Sequence, residues 1–189
     1  YCPLHSEVHN ALASVYEEQG KLKQAIEHYK KATEQEPSFT EPWYSLGEIY
    51  YRRKRFSLSL EAHSQNCSRD ADSKARVKEL LKEQRYAIAE VGDVIDQDSL
   101  QVVYDSKRRL KLNRHLSDCG LYTKVKPKIT FRNLLFKSGK ASLKRRTMHQ
   151  LTEIAAALKA IAPNNIKIHV HTNIKTFKGV TQEESGKRN

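Results

Sequence analysis

The feature that most constrains the fold of this chain is an internal repeat with a period of 34 residues. Residues 6–39 (SEVHNALASVYEEQGKLKQAIEHYKKATEQEPSF) align without a gap with residues 40–73 (TEPWYSLGEIYYRRKRFSLSLEAHSQNCSRDADS). Three pairs of equivalent positions have the same character: Leu12 with Leu46, Ala13 with Gly47, and Tyr16 with Tyr50. A fixed period of this length predicts stacked helical hairpins, in which each unit buries an apolar face against its neighbour.

Small and large residues are distributed within each copy as closely packed helix pairs require. Ala13, Gly47 and Ala25 are small enough to let two helices approach each other. Gly20 marks a turn between helices, and prolines punctuate the junction between the copies. We expect the large residues that fill the space between the helices to be buried: Leu12, Tyr16, Tyr29, Trp43, Leu46 and Tyr50.

These residues together resemble the tetratricopeptide repeat. The second copy carries Trp43-x2-Leu46-Gly47-x2-Tyr50, and the first continues with Ala25, Tyr29, Ala32 and Pro37. The resemblance implies antiparallel helix pairs whose concave groove binds peptides or protein segments. Candidate groove residues lie on the first helix of each hairpin: His9, Asn10, Tyr44 and Arg52. A purely structural role as a rigid spacer is the alternative interpretation.

The second copy departs from the repeat pattern after its first helix. Ser59, His63, Asn66 and Ala71 stand where Ala, an aromatic residue, Ala and Pro are expected. Terminal repeats are often atypical because they face water instead of a neighbour. Residues 73–91 are then predicted to form one long capping helix, so that the array spans residues 1–91. Because such arrays usually need three or more units, further repeats before Tyr1 are an expectation.

Charge divides the chain into two halves. Residues 1–100 carry 14 Lys/Arg and 17 Asp/Glu, whereas residues 101–189 carry 20 Lys/Arg and 5 Asp/Glu. Residues 92–127 are predicted to be a basic linker, or an ancillary segment that docks onto a neighbour, with a short helix at 98–110. Nucleic-acid binding is disfavoured, because aromatic residues near the basic cluster are too sparse for a stacking platform. The sequence contains no phosphate-binding loop of the GxxxxGK[ST] or GxGxxG type.

The cysteines and other reactive residues point to no enzyme. Cys2, Cys67 and Cys119 lie far apart without CxxC spacing, which argues against a zinc knuckle. They are expected to be buried or idle thiols, or to form a Cys67–Cys119 disulfide if the protein is exported. We predict no catalytic residues, no cofactor and no metal site. The sequence also has no apolar run of about 20 residues, the length a transmembrane helix needs.

The pattern changes to strand, helix and strand from Lys128 onward. A helix is predicted over 141–163, with an apolar stripe that we expect to be buried: Leu143, Leu151, Ile154, Ala155, Leu158 and Ile161. Residues 166–172 (IKIHVHT) alternate between apolar and polar side chains, which predicts a half-buried strand. His169 and His171 would then share the polar face. Two histidines without a third ligand do not make a metal site.

Residues 128–189 resemble the first half of an OmpA-like, peptidoglycan-associated domain. A turn with Phe136, Gly139 and Ala141 precedes the helix, and Val170-His171-Thr172-Asn173 stands at the family's Gly-His-Thr-Asp motif. Ser185-x2-Arg188 follows where the family has the start of its next helix. The resemblance implies that Thr172, Asn173 and Arg188 contact peptidoglycan, with the acidic position and the arginine holding the two charges of diaminopimelate. Asn173 replaces the acidic residue, so we expect weakened binding, by roughly tenfold.

The predicted fold class is therefore α plus α/β. A helical hairpin array (1–91) is followed by a basic linker or ancillary segment (92–127) and an incomplete OmpA-like β-α-β-α unit (128–189). The leading hypothesis is a non-enzymatic protein of the bacterial cell envelope, in the periplasm or at the outer membrane. It would bind proteins through its repeats and the cell wall through its C-terminal unit. The alternative is an intracellular scaffold whose basic half binds nucleic acid or another acidic partner.

Overall fold

The computed structural model describes residues 5–137, 142–163 and 165–169, and this part of the chain is mostly helical. Its eight helices and two short strands are α1 (Ser6–Glu18), α2 (Leu22–Gln35), α3 (Thr40–Arg52), α4 (Phe56–Ser64), α5 (Ala71–Leu81), β1 (Ile88–Ala89), α6 (Gln97–Tyr104), α7 (Ser106–Asp118), β2 (Thr130–Phe131) and α8 (Arg145–Ile161). Among these helices, none is both long and apolar enough to cross a membrane.

The two copies of the repeat form two helical hairpins, α1–α2 and α3–α4. The turn residues Gly20 and Lys54 are 34 positions apart, and both adopt a left-handed backbone, with φ of 71° and 58°. The small residues lie between closely packed helices, as the sequence predicts, since Ala13 and Ala25 are completely buried. In the second hairpin Gly47 lies against the ring of His63, so close that a Cβ at this position would overlap the imidazole.

The predicted core of the repeats is confirmed in part. Tyr29, Leu46 and Tyr50 are at most 4% exposed, and Tyr16 and Trp43 are half-buried at the edge of the same cluster. Two equivalent leucines differ, however: the prediction that Leu12 is buried is wrong, because it is 40% exposed. Leu46 lies on α3, which packs against α2 of the preceding hairpin, whereas no helix precedes α1 in the described part of the chain.

The predicted capping helix over 73–91 is also wrong in its extent. Helix α5 ends at Leu81, and the next residues form a distorted 3-10 segment, Lys82–Ala87. Within it Glu83 and Gln84 both have φ of 56°, which stops an α-helix. The break redirects the chain so that Tyr86 and Ala87 are buried and β1 can pair with β2. Burial and strand pairing therefore override the helical propensity of the sequence here.

Residues 92–127 contain two helices, α6 and α7, where the sequence predicts one short helix at 98–110. These helices pack against α4 of the second repeat. Two ion pairs join the segments, Arg55 with Asp96 at 2.6 Å and Arg108 with Glu61 at 2.5 Å. A disulfide between Cys67 and Cys119, whose Cα atoms are 5.5 Å apart, ties the end of α7 to the turn after α4.

Beyond α7 the backbone of the chain pairs with the segment that follows α5. Strand β2 pairs in parallel with β1, which aligns Thr130 with Ile88 and Phe131 with Ala89. Helix α8 spans Arg145–Ile161, shorter than the predicted 141–163. It packs mainly against α6, and Ala157 joins a small core with Ala89, Ile95 and Leu100.

The face of α8 that is buried differs from the predicted apolar stripe. Thr147, Gln150 and Ala157 are buried, whereas Leu151 is 38% exposed and Ala155 is exposed. The reason is a polar contact, because the side-chain amide of Gln150 accepts from Ile95 N at 2.8 Å and donates to Ile95 O at 2.9 Å. These bonds satisfy buried backbone groups of the preceding loop, and leaving such groups without partners is costly.

The predicted strand at 166–172 does not form in its described part. Residues 166–169 have no strand pairing, and Ile166 and Ile168 are 52% and 79% exposed. A strand needs a hydrogen-bonding neighbour, and none lies beside these residues in the described structure. Gly139 and Ala141 of the predicted turn, and the motif residues Thr172, Asn173 and Arg188, lie outside the described residues.

Candidate peptide-binding groove

An open cavity of about 380 Å³ lies between α3, the first helix of the second hairpin, and α5, the helix that follows this hairpin. Helix α3 contributes Tyr44 and Glu48, and α5 contributes Asp72, Ala75, Arg76 and Glu79. Residues three and four positions apart share one face of a helix, so each helix presents its lining residues together. We call this cavity the α3–α5 groove.

The guanidinium of Arg76 is fully engaged by the walls of the groove. It donates to both carboxylate oxygens of Glu48, at 3.0 and 3.2 Å, and to Glu79 at 2.6 Å. The group also stacks over the ring of Tyr51, with 3.9 Å between the guanidinium carbon and the ring centre. Burial opposes the charge, but the hydrogen bonds that Arg76 donates to Glu48 and Glu79 outweigh it and raise the pKa of Arg76.

Glu79 is held as an anion by two neighbours. The hydroxyl of Tyr51 donates to one of its oxygens and Arg76 donates to the other. The hydrogen bond from Tyr51 is the largest cause that lowers the pKa of Glu79, followed by that from Arg76 after a partly opposing effect of burial. The carboxylate is therefore ionised throughout the neutral range.

His63 forms the floor beneath Tyr44 and Glu48. It is completely buried, and its Nδ1 lies 3.1 Å from the hydroxyl of Ser73. Burial lowers the pKa of His63 to about 4, although the nearby carboxylate of Glu48 acts in the opposite direction. The imidazole is thus neutral at pH 7, and it adds no positive charge under the groove.

The carboxylates give the groove a negative potential at Tyr44. This ring is 36% exposed and meets His63 edge-on, with 5.6 Å between the ring centres. Burial raises the pKa of Tyr44, and the negative charges of Glu48 and Asp72 raise it further. Ionisation of the phenol is disfavoured because it would add a charge of the same sign.

Two of the four predicted groove residues lie on α3, and only Tyr44 lines the groove. Arg52 lies on the same helix but forms an ion pair with Glu17 of α1. The second oxygen of Glu17 accepts from Tyr29 at 3.1 Å. Arg52 therefore joins the two hairpins and does not face the cavity between α3 and α5.

The other two predicted residues are on α1, away from this cavity. The Nδ1 atoms of His9 and His28 are 2.9 Å apart at the contact between α1 and α2. Burial and the neighbouring charges of His28 and Lys31 lower the pKa of His9. Asn10 is half-buried, and its Oδ1 accepts no hydrogen bond from the described residues.

Sequence reasoning missed most of the groove lining, namely Glu48, Asp72, Ala75, Arg76 and Glu79. A usable signal existed for the first of them, because Glu48 follows Tyr44 by four residues on a predicted helix. The sequence pattern predicts a capping helix only from residue 73, which leaves out Asp72, and it gives no indication that this helix lies opposite α3.

The groove has no catalytic arrangement that a substrate could reach. Glu48, His63 and Ser73 lie in the order acid, imidazole and hydroxyl, with His63 Nε2 3.3 Å from a Glu48 oxygen but not in hydrogen-bond geometry. The nucleophile of such a set must contact substrate, but Ser73 is completely buried. Within the described ranges there is also no cluster of three or more side chains that could hold a metal ion.

Comparison with known proteins agrees with the helical hairpins. A family model described as TPR repeat matches residues 13–53, which cover the C-terminal part of α1, all of α2 and all of α3. The chain thus contains a TPR repeat, a type of unit that generally serves protein–protein interaction and is not catalytic. No curated protein and no solved structure matches the chain.

Proposed function

We propose that the protein is a non-enzymatic interaction module that binds a peptide segment of a partner protein in the α3–α5 groove. The observation that carries this proposal is the cavity of about 380 Å³ beside the matched TPR repeat, on the helices α3 and α5. It combines an exposed aromatic ring with ionised side chains fixed by hydrogen bonds, and such a mixture gives a groove both affinity and orientation.

A peptide selection tests this function. Peptides selected from a random displayed library on the immobilised protein should bind the wild type and lose binding to Ala75→Trp, which fills the cavity. Tyr44→Ala should weaken binding, whereas Tyr122→Ala is the matched control, because Tyr122 is 87% exposed and does not line the groove. Selected peptides that bind Ala75→Trp as well as the wild type would place the binding surface elsewhere.

We further propose that residues 128–189 associate the protein with peptidoglycan. Support comes from the sequence: Thr172 and Arg188 match the OmpA-like motif, and the spacing of 15 residues from Asn173 to Arg188 is that of the family. Asn173 supplies a neutral hydrogen bond where the family has a carboxylate. A charge-assisted bond contributes about 1.5–3 kcal/mol and a neutral one about 1, so binding should be weak.

Purified sacculi that contain diaminopimelate provide the test. Asn173→Asp should increase co-sedimentation about tenfold, because the new carboxylate would face the ligand ammonium. Arg188→Ala should abolish it, and Lys187→Ala is the matched control for the loss of one positive charge. Equal binding by wild type and Arg188→Ala would refute the assignment of the family site to this chain.

An envelope location is proposed together with this activity. The disulfide between Cys67 and Cys119 supports it, since stable disulfides are typical of exported proteins and rare in the cytosol. The same observation speaks against the alternative of an intracellular scaffold. Alkylation under denaturing conditions, directly after the cells are quenched with acid, tests the location, because cysteines 67 and 119 should resist alkylation until a reductant is added.

A further inference from the structure

The charges that line the α3–α5 groove are unbalanced. Glu48, Asp72 and Glu79 contribute three carboxylates, against one guanidinium from Arg76. His63, under the same wall, is neutral because burial lowers its pKa, and its Nε2 makes no hydrogen bond in the described structure. The groove therefore carries a net negative charge at pH 7.

Arg76 cannot act as a clamp for an anionic ligand. Its donors are directed at Glu48 and Glu79, and its flat face is covered by the ring of Tyr51. An incoming carboxylate would have to displace one of these partners and would meet the remaining acidic side chains. This arrangement disfavours ligands that bind through a free carboxylate or a phosphate.

One part of the groove is available to a ligand cation. Asp72 is exposed in the first turn of α5 and has no ion-pair partner among the described residues. Tyr44 lies across from it on α3, and both line the same cavity. An aromatic face next to a carboxylate suits a lysine or arginine side chain, which can stack on the ring while its charge is paired.

We propose that the α3–α5 groove selects a cationic peptide segment, and that Tyr44 and Asp72 hold one of its lysine or arginine side chains. This inference rests on the proposed peptide-binding function and specifies the chemical class of the partner. The aliphatic stem of that side chain lies along the ring of Tyr44, and Glu48 adds to the attraction from the same helix, α3.

The net charge of the whole protein makes this proposal sharply testable. The chain carries +12, and residues 101–189 alone have 20 Lys/Arg against 5 Asp/Glu. Nonspecific attraction therefore favours anionic peptides. A preference for a cationic peptide must come from a local surface of opposite charge.

The probes are three fluorescein-labelled peptides of the repeating sequence Ala-Leu-Xaa, in which every Xaa is Lys, Gln or Glu. Fluorescence anisotropy at low salt should give the affinity order Lys, then Gln, then Glu. Tyr44→Ala should weaken the Lys peptide about threefold. Asp72→Lys should weaken it about tenfold, because an attraction becomes a repulsion. Tyr122→Ala and Asp118→Lys are matched controls on exposed residues outside the groove.

The outcomes separate this inference from the function on which it rests. Tighter binding of the Gln or Glu peptide, still weakened by Tyr44→Ala, would keep the groove as a peptide site and overturn its cationic selectivity. Binding of the Lys peptide that Tyr44→Ala and Asp72→Lys leave unchanged would overturn the assigned contacts. Failure of all three peptides, together with failure of the library selection, would overturn both proposals.

Discussion

Reduction of the Cys67–Cys119 disulfide should lower the free energy of unfolding by about 4 kcal/mol, a value that follows from the 52-residue separation and the loop-closure entropy of the unfolded chain. The effect acts through the unfolded state. In the folded state Cys67 and Cys119 are 2% and 3% exposed, so the reduced thiols would remain buried as small apolar side chains.

The assay is urea unfolding of the oxidised and the reduced protein, followed by circular dichroism. A Cys2→Ser background leaves only the two cysteines of the bond, so that free thiols can be counted in the same samples. The oxidised protein should show no free thiol under denaturing conditions and the reduced protein two. Cys67→Ala combined with Cys119→Ala should behave like the reduced protein.

Two results would refute the reasoning. Two free thiols in protein purified under oxidising conditions would show that the bond does not form. If the bond is present and its reduction leaves the denaturation midpoint unchanged, the segment between the cysteines does not gain freedom on unfolding, and the entropic account is wrong.

Three further predictions concern contacts made by the α3–α4 hairpin. Gly47→Ala should destabilise the protein by about 1–3 kcal/mol, because the new Cβ would overlap the ring of His63. Helix propensity alone predicts a stabilisation, and that result would contradict the observed packing. Because burial lowers the pKa of His63 to about 4, the unfolded state protonates this residue at a higher pH than the folded state does. The stability that the neutral imidazole contributes is therefore complete above pH 6.5 and is lost as the pH falls to about 4. Urea midpoints across this range should fall less in His63→Phe than in the wild type. Arg108→Met should cost about 1.5–3 kcal/mol in thermal or urea unfolding, since Glu61 loses its charged partner, and an unchanged midpoint would show that this ion pair contributes nothing.

The hairpins of the repeat are encoded locally, and this is why the sequence predicted them. Ala13 and Gly47 recur with the 34-residue period, and Ala25 follows Ala13 within the same hairpin, so the pattern is visible from the sequence alone. Tyr29, Leu46 and Tyr50 are buried as that pattern predicts. The exposure of Leu12 shows the limit of the argument, because burial of a repeat position requires a neighbouring unit.

The groove could be predicted only in part. Tyr44 was identified because it lies on the first helix of a recognised repeat. Asp72, Arg76 and Glu79 depend on where α5 packs, and the sequence pattern was assigned to a longer helix that does not form. The ion pair of Arg76 with Glu48 joins residues 28 positions apart, so no local pattern reports it.

Local sequence patterns predict the elements whose stability comes from neighbouring residues, namely the repeat helices and the body of α8. Contacts between distant segments set where α5 ends, how α6 and α7 pack on α4, and which face of α8 is buried. In α8 the hydrogen bonds of Gln150 to Ile95, 55 positions away, prevail over the apolar stripe. Hydrophobic periodicity ranks the faces of a single helix, but satisfying the buried backbone groups of a distant loop depends on the assembled fold.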